Sequence, residues 1–349
     1  MTRYFNNVVG NPPYNEDFNK SGNKRYARPL YHHFINLSRS VGDQTVLVTP
    51  ARFLFDAGST PKEWNHHMLE DPCLTVLDYY PNSMKVFPGI DIKGGISILS
   101  YDNDKENEGG AIKVFIPEPS LKSIHQKVAC KTRESFSSIV SSRASYHLTE
   151  YALLEHPEIK RIMAQHTEHV VGSNAFSKLE NIIYFETKPD DTHDYVRLLG
   201  LLNGIRTYRW VRQAYLRPPE SFAKWKVFLP KANNAGHFDE RLASPVVGEP
   251  FMGATDTFLT IGGFDTQQEV EACCMYIKTK FVRVLLNILK RTQDNSRDKW
   301  RYVPLQDFRN RFFIGSSESV QQMDQRLYLQ YGLTEDEQQW IESHVPAME

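Results

Sequence analysis

No apolar run in this 349-residue chain approaches the length needed to cross a bilayer, and its first residues carry no charged-then-apolar leader pattern. Cysteine is scarce: Cys73, Cys130, Cys273 and Cys274 show no paired metal spacing, and an adjacent pair is a poor disulfide framework. These absences point to a reduced, cytoplasmic protein with no membrane partner and no metal centre. A glycine-lysine loop that would cradle nucleotide phosphates is missing too. Pro189-Asp190-Asp191 lacks a following Glu-x-Lys or Asp-x-Lys partner, so it reads as a turn and not as a nuclease metal site. Neither charge is in excess: the formal net charge is −1, so any affinity for nucleic acid must come from where the charges lie. What is present is 40% hydrophobic and 12% aromatic residues, enough for one large domain or two of ordinary size.

The chain is organised around its start. Tyr4 to Val9 is a short run of β-formers that stops at Gly10 and gives way to Asn11-Pro12-Pro13-Tyr14. That pattern predicts a buried strand opening into a rigid loop, because the two prolines fix φ and donate no N–H. Two acceptors, the Asn11 side-chain oxygen and the Pro12 carbonyl, could each take a hydrogen bond from an exocyclic amine. Its nitrogen would move towards tetrahedral geometry and its lone pair would be freed. Tyr14 could stack on the ring that carries the amine. Asn-Pro-Pro-Tyr after a strand resembles the catalytic loop of the adenine-N6 DNA methyltransferases of restriction-modification systems. The resemblance implies methyl transfer from S-adenosylmethionine to a flipped adenine in double-stranded DNA, with Asn11, Pro12, Pro13 and Tyr14 as catalytic residues.

Further along, polar Asp17 to Arg28 predicts a loop over that site, whose Lys20, Lys24, Arg25 and Arg28 read first as solvated charge and, near a DNA cleft, could meet phosphates. Pro29 starts a helix, Leu30 to Val41, with Tyr31, Phe34, Ile35 and Leu37 on its apolar face and His32 and His33 on the surface. Thr45-Val46-Leu47-Val48 is a second buried strand, ending at Pro50-Ala51-Arg52-Phe53. Strand, helix, strand predicts a parallel crossover with the ligand end at the strands' carboxyl ends. After a helix at Pro61 to Glu70, Leu74 to Tyr79 and Ile96 to Tyr101 predict an antiparallel hairpin at the sheet edge. The segment around Phe87 resembles the stretch of the same family where an aromatic stacks on the base opposite the tyrosine, which makes Phe87 the candidate second face. Asp91 and Lys93 read as turn residues.

One part of such enzymes is not where the family has it. Only ten residues precede Asn11, so the strand and glycine-rich turn that hold the cofactor's methionine moiety have no place ahead of it. Glu249-Pro250-Phe251-Met252-Gly253-Ala254 looks like the cofactor loop of circularly permuted relatives, but Asp256 stands where a second glycine is needed and Thr257 to Ile261 reads as strand. Pro50 and Gly253 are therefore the weak cofactor candidates. The expectation is a second polypeptide that supplies the cofactor-binding half, or a truncated product.

Beyond Asn103 the pattern changes. Ala111 to Ile116 predicts a strand, Pro119 to Ala129 a helix, and serine-rich Glu134 to Ser145 an exposed linker. Short strands follow at Ile182 to Glu186, Thr207 to Val211 and Trp225 to Pro230, and a long helix at Thr266 to Leu289. From Glu271 to Phe312 ten Lys/Arg face four acids, an excess that could track a phosphate backbone. Arg206, Arg209, Arg212, Lys224 and Lys226 lie among aromatics. Lys290, Arg291, Asn295, Arg297 and Lys299 border a Gln/Asn loop suited to base edges. From Ser316 to Glu349 there are seven acids against Arg326, with Gly332 and Thr334 marking a helix stop and start. Phe251 to Phe264, Ile277 to Phe281, Tyr302 to Leu305 and Tyr331 to Leu333 also resemble the C-terminal half of the same methylase family.

The expected fold is α/β: an incomplete Rossmann-like methyltransferase sheet (1–103), a connecting segment (104–145), an α+β target-recognition domain (146–315) and acidic C-terminal helices (316–349). The alternatives are a non-catalytic DNA-recognition subunit or degenerate remnant and, more distantly, a methyltransferase acting on RNA or protein.

Overall fold

The computed structural model describes residues 3–16, 27–107, 110–142, 144–163, 166–232, 241–290, 294–310 and 319–348. The chain divides into two compact units, Met1–Lys122 and Ser123–Glu349. It is a mixed α/β protein built on several small sheets.

In the first unit, strand β1 (Phe5–Gly10) leads to helix α1 (Tyr31–Val41) and on to β2 (Gly42–Pro50); β1 and β2 are parallel, with Gly10 opposite Leu47. Helix α2 (Lys62–Glu70) precedes β3 (Leu74–Tyr80) and β4 (Ile96–Asp102), which form an antiparallel pair. The sheet order is β1-β2-β4-β3. Its core joins Tyr31 and Ile35 of α1 to Leu47, Phe53, Leu54, Phe55, Met68, Leu74 and Leu99. Each fully buried phenylalanine or leucine there contributes about 2–3 kcal/mol of transfer free energy.

Three expectations for this unit are corrected. The Tyr4–Val9 strand is not buried: it is the sheet's edge strand, with nothing paired on its outer side among the described residues, and Val9 is 77% and Phe5 58% exposed. His32 is not on the surface but buried on α1, edge-on to Trp64 at 5.5 Å between ring centroids. Ala111 to Ile116 forms no strand.

Helix α3 (Pro119–Lys131) runs on into the second unit, where β5 (His147–Leu148), α4 (Glu150–Glu155), α5 (Ile159–Ile162) and α6 (Ala175–Lys178) follow. A hairpin comes next, β6 (Tyr195–Leu202) with β7 (Ile205–Arg212), then β8 (Leu216–Arg217) and β9 (Trp225–Pro230). The strands end with β10 (Val246–Gly248), β11 (Met252–Ala254) and β12 (Phe258–Phe264). They make sheets β10-β9-β12, β11-β6-β7 and β5-β8. Helices α7 (Gln267–Lys278), α8 (Lys280–Leu286), α9 (Val320–Tyr331) and α10 (Glu335–His344) complete the unit.

The helix expected over Thr266 to Leu289 is broken at Thr279, whose ψ of 148° is extended. Its hydroxyl donates to the Tyr276 carbonyl (2.7 Å) and accepts from the Val282 amide (3.2 Å), so one side chain closes α7 and caps α8. The buried Asp324 carboxylate accepts from the Lys280 and Phe281 amides at 3.0 and 2.9 Å, adding an anion at the positive end of α8. Glu134 to Ser145 is no exposed linker. Phe136 and Val140 are buried, and Phe136 N–H donates to the Val303 carbonyl at 2.8 Å. Ile182 to Glu186 makes isolated bridges and no strand. Gly332 (φ 69°) and the Thr334 capping box stop and restart the last helices as the sequence predicts. Among the described residues no helix is long and apolar enough to cross a membrane.

Candidate active site and nucleic-acid interface

In the first unit the sheet register gathers three segments at one end. Gly10 lies opposite Leu47, so the loop after β1 and the Pro50-Ala51-Arg52-Phe53 turn after β2 both leave the carboxyl ends of adjacent parallel strands. Pro50 pairs with Ile96, and Ile96 with Tyr80, so the connection that carries Phe87 emerges at the same end. This is the end at which open α/β sheets bind ligands.

Within that end, Asn11 is exposed and Pro12 half-buried. The Asn11 side chain and the Pro12 carbonyl accept no hydrogen bond among the described residues. The prolines hold the loop that carries both acceptors rigid. Tyr14 is anchored differently. Its carbonyl accepts from the Leu30 amide at 2.9 Å, Asn15 pairs with Pro29, and the Glu16 amide donates to the Arg28 carbonyl at 2.9 Å. The Tyr14 ring packs against the core cluster, and its hydroxyl is buried with no hydrogen-bond partner among the described residues. Burial pushes that hydroxyl up to about 12, so it stays protonated. Sequence reasoning missed this orphan, because nothing local marks where a ring will be tucked. Lys20, Lys24 and Arg25 lie outside the described residues.

Phe87 is half-buried in a turn built on Ser83. The Phe87 amide donates to the Ser83 carbonyl at 2.8 Å, while the buried Ser83 hydroxyl donates to Ile90 O (2.8 Å) and accepts from Ile92 N (2.7 Å). The rings of Tyr14 and Phe87 do not touch each other in this structure.

Gly253 does not lie in an open glycine-rich loop. Gly253 sits inside β11, where an added Cβ would lie 2.6 Å from a Leu198 methyl and 2.7 Å from the Tyr146 ring. It is a packing glycine and not a phosphate-type loop. Pro50 is buried at the end of β2.

The second unit corrects half of the expected DNA contacts. Lys226 is fully buried: β9 is the central strand of its sheet, and the ammonium donates to the carbonyls of Phe222 (2.6 Å) and Met252 (3.1 Å). Burial lowers it to about 8. Arg209 is buried and paired with Glu180 at 3.0 Å. Lys290, Asn295 and Lys299 are buried as well, with the Asn295 amide donating to the Pro230 carbonyl at 3.1 Å. Tertiary packing places these side chains inside the unit, where Lys226 and Asn295 donate to backbone carbonyls and Arg209 pairs with a carboxylate.

Exposed positions remain at Arg206, Lys224 and Arg297. Arg206 donates to Ser244 O at 2.8 Å, Lys224 pairs with Asp265 at 3.0 Å, and Arg297 donates to Ser137 O at 2.9 Å. Arg212, half-buried, pairs with Glu155 at 2.8 Å and lies over the Tyr151 and Tyr215 rings. Arg291 lies outside the described residues.

Comparison with known proteins bears on the first unit. Among solved structures, that of the type IIG restriction endonuclease BpuSI aligns with 94% of this chain and 49% of its own, at 11% identity and a TM-score of 0.32. The chain thus spans about half the length of that enzyme. No curated protein matches it. Residues 2–87, which hold the Asn11–Tyr14 loop, the Pro50–Phe53 turn and Phe87, match the family described as Eco57I restriction-modification methylase.

Proposed function

We propose that this chain is the base-acceptor and DNA-recognition part of an adenine-N6 DNA methyltransferase of a restriction-modification system. The observation that carries the reading is the pair of acceptors, Asn11 Oδ1 and Pro12 O, unengaged among the described residues, on a rigid loop at the ligand end of the sheet, inside the stretch that matches a restriction-modification methylase family. Accepting one hydrogen bond each from an adenine N6 amine, they localise its lone pair for attack. Tyr14 and Phe87, which emerge at that end, are the aromatic surfaces for the extruded base. The second unit, with Arg206, Arg212, Lys224 and Arg297 still accessible, is the target-recognition part.

In this reading S-adenosylmethionine is held by residues other than Gly253, which is packed against Leu198 and Tyr146. The outer side of β1, unpaired among the described residues, supports a second polypeptide segment there. A parallel strand is normally covered on both faces, and this one exposes Phe5, Asn6, Asn7 and Val9. The same observation favours a second reading, a DNA-recognition subunit that has no catalysis of its own. Calorimetric titration of S-adenosylmethionine, with and without duplex DNA, into the chain purified with whatever it natively binds tests the proposal. Micromolar binding of both ligands is expected, and a preparation that binds DNA but never the methyl donor would leave the non-catalytic reading in its place.

A further inference from the structure

Arg52 lies in the turn after β2, at the sheet end shared with the Asn11 loop. Its aliphatic stem is held in a slot that only glycines allow. A Cβ on Gly94 would come within 2.8 Å of Arg52 Cγ, and one on Gly58 within 3.2 Å of Cδ. Both glycines have positive φ, +87° and +86°, so backbone conformation and space independently disfavour any side chain. The Arg52 Nε donates to the Lys93 carbonyl at 2.7 Å, and the neighbouring Ala51 amide donates to Gly95 O at 3.0 Å. The nearest acid along the chain, Asp56, is already engaged by Lys62, Asn65 and His66. The Arg52 Nη1 and Nη2 groups make no hydrogen bond or ion pair among the described residues, and the side chain is part-exposed.

A guanidinium with a fixed stem, a tied Nε and a free two-pronged end is a receptor for an oxyanion, and its planar fork suits a phosphate. We propose that Arg52 holds a backbone phosphate of the DNA strand whose adenine enters the Asn11 loop. The inference rests on the reading of the chain as a DNA adenine methyltransferase. Extruding a nucleotide swings its flanking phosphates towards the loop that receives the base, and a preset cation there stabilises the rotated backbone. The other anion such a site could meet is the carboxylate of the methyl donor, and the test separates the two.

The probe is a mixed-sequence duplex with one adenine opposite an abasic site, because an unpaired base is the least costly to extrude. Its affinity is measured from low to high salt for the natively purified protein, for Arg52→Met, which keeps the stem, and for Arg52→Lys, which keeps the charge but not the fork. Thermal melting of each variant is recorded alongside. The expected result for Arg52→Met is a loss of roughly tenfold in affinity, with the salt slope reduced by about one, at an unchanged melting temperature. Arg52→Lys restores the slope but only part of the affinity. Equal DNA affinity and slope in wild type and Arg52→Met overturns the assignment alone, as does a selective loss of S-adenosylmethionine binding. Failure of the wild type to bind the duplex overturns it together with the methyltransferase reading. If Arg52→Met melts early, Arg52→Lys decides: reduced affinity at unchanged slope supports the fork, and wild-type affinity overturns it.

Discussion

The backbone carbonyl of Tyr14 accepts a 2.9 Å hydrogen bond from the amide of Leu30, so the far end of the Asn-Pro-Pro-Tyr loop is tied to the residue that precedes helix α1. The loop is thereby rigid at both ends: prolines at one, a short ladder at the other.

That tie holds the Tyr14 ring against the core with its hydroxyl buried and unpartnered. An unsatisfied buried hydroxyl costs free energy that phenylalanine does not incur. Tyr14→Phe is therefore expected to stabilise the protein by about 1 kcal/mol, read as a higher denaturant midpoint at unchanged slope. Tyr14→Ala, which removes the ring, is expected to destabilise it.

Lys226 distinguishes a structural cation from a DNA contact. Its folded value, about 8, lies below the ordinary lysine value of 10.5, so between those pH values the unfolded chain binds the proton more tightly. This group's contribution to stability therefore rises with pH through that window, by a few kcal/mol at most. Denaturation at pH 8 and pH 10 should show that rise in the wild type relative to Lys226→Met. The variant should leave the salt dependence of DNA binding unchanged.

Thr279 serves two helices at once. Thr279→Ala removes the bond to Tyr276 O and the cap on Val282 N, and is expected to cost about 1–2 kcal/mol by chemical denaturation. Thr279→Ser, which keeps the hydroxyl, should recover most of it.

The sequence made the first unit legible where patterns were local. Pro29 and the apolar spacing of Tyr31 and Ile35 marked α1, and a strand, helix, strand order implied the parallel β1–β2 pair that the register shows. What alternation could not give was burial. Phe5 and Val9 look like core residues but sit on an uncovered edge, because whether a strand is central depends on partners distant in sequence. Lys226 and Asn295 failed in the opposite sense: a polar residue reads as surface, and only tertiary packing shows that each donates to a carbonyl inside. The Thr266 to Leu289 stripe ran unbroken because Thr279 is a tolerable helix residue; its capping role needed the turn to be seen. Arg52 gave no signal beyond its place after a strand, since its slot is made by Gly58 of the same connection and Gly94 of the loop before β4.

The most direct measurement is N6-methyladenine in unmethylated genomic DNA, determined by nucleoside mass spectrometry after incubation with S-adenosylmethionine and the protein purified with its native partners. Wild type and Asn11→Ala are compared, with DNA affinity measured in parallel. The account predicts that Asn11→Ala lowers methylation at least about 100-fold, the scale on which a donor or acceptor acting in the transition state is felt, while DNA affinity stays within about threefold. Methylation that survives Asn11→Ala, or a loss of methylation matched by an equal loss of DNA binding, would contradict it.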